Sequence, residues 1–134
     1  GLMGSNVNSM IESSKYSEYD LIDTLLNKDA RGFLKVSSYL REIDTSLSYI
    51  IFLLNQELEK IYSLIKPTTS KPYIPSFLMT KYTSASKKYT LDELLFLLKS
   101  IASIDVKSKY MSKKSNPWVS FNSLFYNLMS KHAG

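Results

Sequence analysis

Lys81, Lys87 and Lys88 alternate with Tyr82 and Tyr89, and Lys107, Lys109, Lys113 and Lys114 flank Tyr110. These are the side chains whose type and spacing could do chemistry, and that chemistry is contact with nucleic acid. Lysine neutralises phosphate without reading sequence. Tyrosine rings stack on unpaired bases. The candidate site is therefore Lys81, Lys87, Lys88, Lys107, Lys109, Tyr110, Lys113 and Lys114. The plainer reading of the same residues is a solvated surface kept soluble by charge.

The charge is lopsided along the chain. Residues 1–70 carry seven basic and nine acidic side chains, whereas residues 71–134 carry ten lysines and three acidic residues. The halves stand at −2 and +7, within a net +5. Both arginines, Arg31 and Arg41, fall in the first half, ten residues apart.

Other chemistries find little support. There is no cysteine, which removes disulfides, thiolate nucleophiles and sulfur-based metal sites. The single histidine, His132, offers no triad, HExxH motif or paired ligand set. Gly32 stands alone in Ala30-Arg31-Gly32-Phe33, so no glycine-rich phosphate loop exists. Asp20 and Asp23 share a helical face, and Glu57 and Glu59 sit on adjacent faces. Such pairs could help hold a divalent metal but are more simply solvated charge. No enzyme, cofactor or metal is expected. The longest apolar run, Tyr49–Leu54, is far short of the ~20 residues that span a bilayer. The lysines fall mainly in loops rather than along an amphipathic helix, which argues against a membrane surface. The opening GLMGSNVNS has no signal-peptide pattern and reads as a tag remnant within a flexible segment, residues 1–15. The absence of cysteine points to an intracellular or viral origin.

The elements that must position these residues are helices. The chain has 134 residues, 44% of them hydrophobic, but only four glycines and four prolines. That is enough for one core, covering residues 16–134, and too few turn residues for a many-stranded fold. Ser17 is placed to cap a helix over Glu18–Asn27. Apolar residues at Phe33, Val36, Leu40, Ile43, Leu47, Ile50, Leu54, Leu58, Ile61 and Ile65 keep steps of three and four. They predict one long central helix over residues 30–65, roughly 54 Å long. The candidate break is at Asp44-Thr45-Ser46, where side chains compete for backbone hydrogen bonds.

Pro67, Pro72 and Pro75 mark a linker over residues 66–76. A short helix over Ser76–Tyr82 and a TSASKK loop should follow. Thr90 and Glu93 form a capping box for a helix to about Ser103, with Leu91, Leu94, Leu95, Leu98, Ile101 and Ala102 inward. Asn116-Pro117 starts a last helix that carries Trp118, Phe121, Phe125, Leu128 and Met129 on one face.

The expected fold is an all-α, single-domain bundle of four to five helices. The expected function is a small non-catalytic basic protein contacting nucleic-acid phosphates as a subunit of a nucleoprotein assembly. The alternative is an adaptor or homo-oligomer that pairs through the heptad-like helix face, without nucleic acid. In size, helix content and basicity the chain resembles the small helical subunits of CRISPR effector complexes and the DNA-wrapping coat proteins of archaeal filamentous viruses. That likeness is one of general character and transfers no residue.

Overall fold

Five of the described helices start where a side chain takes over a backbone amide that the helix itself leaves unpaired. The computed structural model describes residues 16–67, 71–110 and 116–131. Its helices are α1 (Glu18–Asn27), α2 (Ala30–Glu42), α3 (Leu47–Ile65), α4 (Met79–Ser86, entered through a 3-10 turn at Ser76–Leu78), α5 (Leu91–Tyr110) and α6 (Pro117–Met129). Of the described residues 80% are helical and none is in a strand, so the fold is an all-α bundle.

The caps are those the residue types predict. Ser17 and Asp20 form a reciprocal box at α1. The Gly32 amide donates to Asp29 Oδ1 at 3.0 Å, and the Tyr49 amide donates to Ser46 Oγ at 3.3 Å. Thr90 N–H donates to Glu93 Oε1 at 2.8 Å, while Glu93 N–H donates to Thr90 Oγ1 at 3.1 Å. Asn116 Oδ1 accepts from the Trp118 amide at 3.0 Å, with Pro117 in the first turn.

The long helix does not exist. Asp44 sits in the left-handed region at φ 60°. Thr45 N–H reaches back to the Leu40 carbonyl and Asp44 N–H to the Arg41 carbonyl. That pair of bonds is a Schellman motif, which closes a helix end, here with aspartate in the usual glycine position. Ser46 then caps α3. The apolar spacing survives the corner, but Ile43 is left 52% exposed. The rest of the seam up to Ile61 is buried within the bundle, so it presents no coiled-coil face.

Two further boundaries differ. Thr83–Ser86 belong to α4 rather than to a loop, because Ala85 is completely buried there. Helix α5 runs on to Tyr110. Buried Ile104 anchors the added turns, and Asp105 binds Ser48 of α3 and Lys109. Ala102 faces outward, against expectation, and Leu97, a residue not among those expected inward, lies in the core.

Helix contacts close a ring: α1–α2–α6–α5–α3–α4 and back to α1. Phe33 of α2 stacks on Phe125 of α6 at 4.6 Å and touches Phe121 at 5.8 Å. All three rings are fully buried. Trp118 stands edge-on to Phe121 at 5.6 Å and is half-buried, so it packs onto this cluster. Among the described residues no helix is long and apolar enough to cross a membrane.

Candidate nucleic-acid interface

Among the described residues, Lys87 and Lys88 stand before the start of α5, and Lys107 and Lys109 stand in its last turn, on a helix of 20 residues that is about 30 Å long. Their surroundings differ as much as their positions.

At the near end, Lys87 and Lys88 form the turn after α4. The neighbouring tyrosines are not stacking platforms. Tyr82 and Tyr89 are each only 4% exposed. Tyr82 donates its hydroxyl to Glu57, itself buried and paired with Lys60 at 2.8 Å. Tyr89 donates to the Leu25 carbonyl at 2.5 Å. Burial holds both phenols well above their ordinary range; Glu57 adds to the effect at Tyr82 and Glu93 at Tyr89. These tyrosines hold α4 and the α4–α5 turn to the bundle.

Beside that turn lies the α1–α2 junction. Lys28 ends α1 in the left-handed region at φ 54°, again within a Schellman motif. Its ammonium donates to the Lys88 carbonyl at 3.0 Å, approaches Glu93 at 3.5 Å and lies 5.1 Å from the Tyr89 ring centre. Lys28 thus clamps the two turns together. Asp29 follows and caps α2 through the Gly32 amide. A Cβ on Gly32 would come within 2.2 Å of that carboxylate, so any other residue here would force the Asp29 side chain to shift. Arg31 projects from the first turn of α2 and is exposed. The end of α6 adds Lys131.

These three chain segments enclose a cleft of about 640 Å³. Lys28, Arg31, Lys87, Lys88 and Lys131 line it, against one carboxylate, Asp29. Arg31, Lys87, Lys88 and Lys131 have no ion-pair partner among the described residues. Part of this charge has a structural cause. Lys28, Lys87, Lys88 and Lys131 follow the C-termini of α1, α4 and α6, where a cation complements the helix dipole. Arg31 does not fit that account. It sits at a helix N-terminus, where the dipole disfavours positive charge.

At the far end, Lys109 is paired with Asp105 at 3.2 Å. The Ser48 hydrogen bond, helped by Lys109, holds the Asp105 carboxyl below its ordinary range. Lys107 and Tyr110 are exposed, Tyr110 at 83%. Lys113 and Lys114 lie outside the described residues. Lys81 pairs with Asp23 of α1 and does not line the cleft.

Of the candidate residues that are described, only Lys87 and Lys88 meet in the cleft. Lys28, Arg31 and Lys131 escape sequence reasoning, because no local pattern tells which helix ends converge. The carboxylate pairs are otherwise engaged. Asp20 caps α1, Asp23 binds Lys81, Glu57 binds Tyr82 and Lys60, and Glu59 accepts from Asn55. Among the described residues no three His, Asp or Glu side chains converge as metal ligands.

No protein-family model matches the chain, and neither a curated protein nor a solved structure matches it significantly.

Proposed function

We propose that this is a small non-catalytic helical protein that contacts nucleic-acid phosphates, as an accessory or structural subunit of a nucleoprotein assembly. The observation that carries the reading is the cleft where Arg31, Lys87, Lys88 and Lys131 converge around a single carboxylate. Convergent, unpaired cations raise the local potential for a polyanion, whereas cations scattered over a surface do so weakly. Arg31 adds planar, bidentate phosphate recognition to the point charges of lysine.

The test is binding of labelled oligonucleotides, followed by fluorescence anisotropy across a salt series. Affinity should fall with a log–log slope of roughly −3 for about four phosphate contacts on a single strand. Absence of binding at low salt overturns the reading. The second reading is a protein partner. It draws on Tyr73 and Phe77, 80% and 83% exposed beside the Pro-rich segment. A concentration-dependent mass in light scattering, with no oligonucleotide bound, would favour self-association instead.

A further inference from the structure

Between α3 and α4 the chain sets two exposed aromatic rings beside an apolar hollow. Ile74 and Leu78 pack against the core, whereas Tyr73 and Phe77 stand outward, 80% and 83% exposed. Pro72 and Pro75 stiffen this display, because each locks its own φ, and Pro75 lies in extended backbone at φ −56° and ψ 142°. The hollow holds about 500 Å³. Leu64, Pro67, Pro72, Ile74 and Met79 line it with Tyr73, and Lys71 is the one charged residue on its wall among the described residues. Phe77 stands two residues from Met79 but does not line the hollow, so ring and hollow are neighbours in one patch.

An exposed ring next to an apolar hollow is self-complementary. Under a two-fold rotation each ring meets the other copy's hollow, and the same contact is made twice. A phenylalanine or tyrosine offers about 200 Å², so four such side chains at four-fifths exposure bring roughly 600 Å². The walls they meet lose a comparable area. The total of about 1,200 Å² is the lower limit of standard interfaces and suits a reversible dimer rather than an obligate one. The stiff prolines lower the ordering cost of pairing. The patch precedes α4 and the Lys87–Lys88 turn follows it, about 12 Å of helix apart, and the hollow and the cationic cleft share no lining residue.

We propose that two copies of this chain pair across a two-fold axis at Pro72–Met79, with the Phe77 ring of each copy entering the other's hollow against Leu64, Tyr73 and Met79. The pairing goes beyond the phosphate-contacting reading and does not rest on it. Each copy carries a net charge of +5, so Coulomb repulsion opposes the pair and salt relieves it. Dimerisation therefore tightens with salt, whereas oligonucleotide binding weakens with it. The two events separate by the sign of their salt dependence.

The experiment is sedimentation velocity of the full chain, without nucleic acid, across a concentration series. A monomer–dimer equilibrium should appear with a Kd on the order of 10–100 µM. It should tighten several-fold between about 50 and about 500 mM salt. Tyr73→Ser with Phe77→Ser should weaken the dimer at least about thirtyfold. Both side chains are exposed, so the dilute monomer should melt unchanged. Tyr110→Ser, which removes an equally exposed ring from the end of α5, should leave the dimer intact. As a check needing no variant, footprinting should show residues 71–79 protected only as the dimer forms. A monomer at every concentration, a dimer indifferent to the double variant, or one that weakens with salt would each overturn the proposal. Protection of residues 71–79 already in the monomer would overturn it too, because the chain then covers its own patch. Failure of oligonucleotides to bind would overturn the phosphate-contacting reading alone.

Discussion

The two ends of α5 carry the same residue types, lysine beside tyrosine, and put them to different uses. At the near end the tyrosines are buried and hydrogen-bonded, and the lysines converge with cations from two other chain segments. At the far end Tyr110 is exposed and Lys109 is neutralised by Asp105. Composition is thus a poor guide to a binding surface. What matters is whether charges from distant segments meet without counter-ions.

The largest expected effect tests that contrast directly. Reversing Arg31, Lys87 and Lys88 to glutamate should weaken oligonucleotide binding about a hundredfold at 50 mM salt and make the salt slope shallower by roughly 2. Lys107→Glu with Lys109→Glu should change affinity less than about threefold. Equal losses in an anisotropy titration would erase the distinction between the ends.

Next comes stability. Tyr82→Phe removes a charge-assisted hydrogen bond to buried Glu57 and should cost about 2 kcal/mol in urea unfolding. Tyr110→Phe should stay within about 0.5 kcal/mol. The same contrast has a pH signature. Tyr82 and Tyr89 are held protonated, so their stabilisation is whole below about pH 10 and is lost as pH rises beyond it. Asp105 is held ionised, so its contribution is present above about pH 4 and is lost as pH falls through its lowered value. In thermal melts across pH, Tyr82→Phe should flatten the alkaline limb and Asp105→Asn the acid limb.

Asp105→Asn should itself cost about 1 kcal/mol at neutral pH, because Ser48 and Lys109 lose a charged partner. Hydrogen exchange should then quicken in the last turns of α5 and leave the α4–α5 turn unchanged.

The smallest effect refines the cleft. Asparagine caps a helix about as well as aspartate. Asp29→Asn should therefore leave the melting temperature nearly unchanged while raising polyanion affinity a few-fold by removing the one negative charge. A large drop in melting temperature would show that the carboxylate's charge, not its cap, is what α2 needs.

What could be read beforehand follows the range of the interactions. Ser17, Thr90 and Asn116 declare their helix starts because a cap is settled within three residues. The corner at Asp44 was legible only as a place where a break could fall. A Schellman motif is normally signalled by glycine, and here aspartate takes that position while the apolar spacing runs on undisturbed. Tyr82 and Tyr89 look like surface aromatics among lysines. Their burial depends on Glu57 and the Leu25 carbonyl, which lie 25 and 64 residues away. The cleft is illegible for the same reason, since Lys28, Arg31 and Lys131 are unremarkable until the ring of helices closes.

The clamp by Lys28 has a kinetic side. Its bonds to Lys88 and Glu93 join residues 60 and 65 positions apart, and Lys131 arrives from a third segment. Contacts of such separation require long loops to close before they reward the chain. The gathered charge is therefore a property of the completed bundle, absent from any species in which α1, α4 and α6 have yet to dock. A polyanion that needs those cations together binds the native state alone and adds to its stability in proportion to occupancy. Bound nucleic acid would then act as a late latch on folding, slowing the opening of the helix ring more than it hastens collapse.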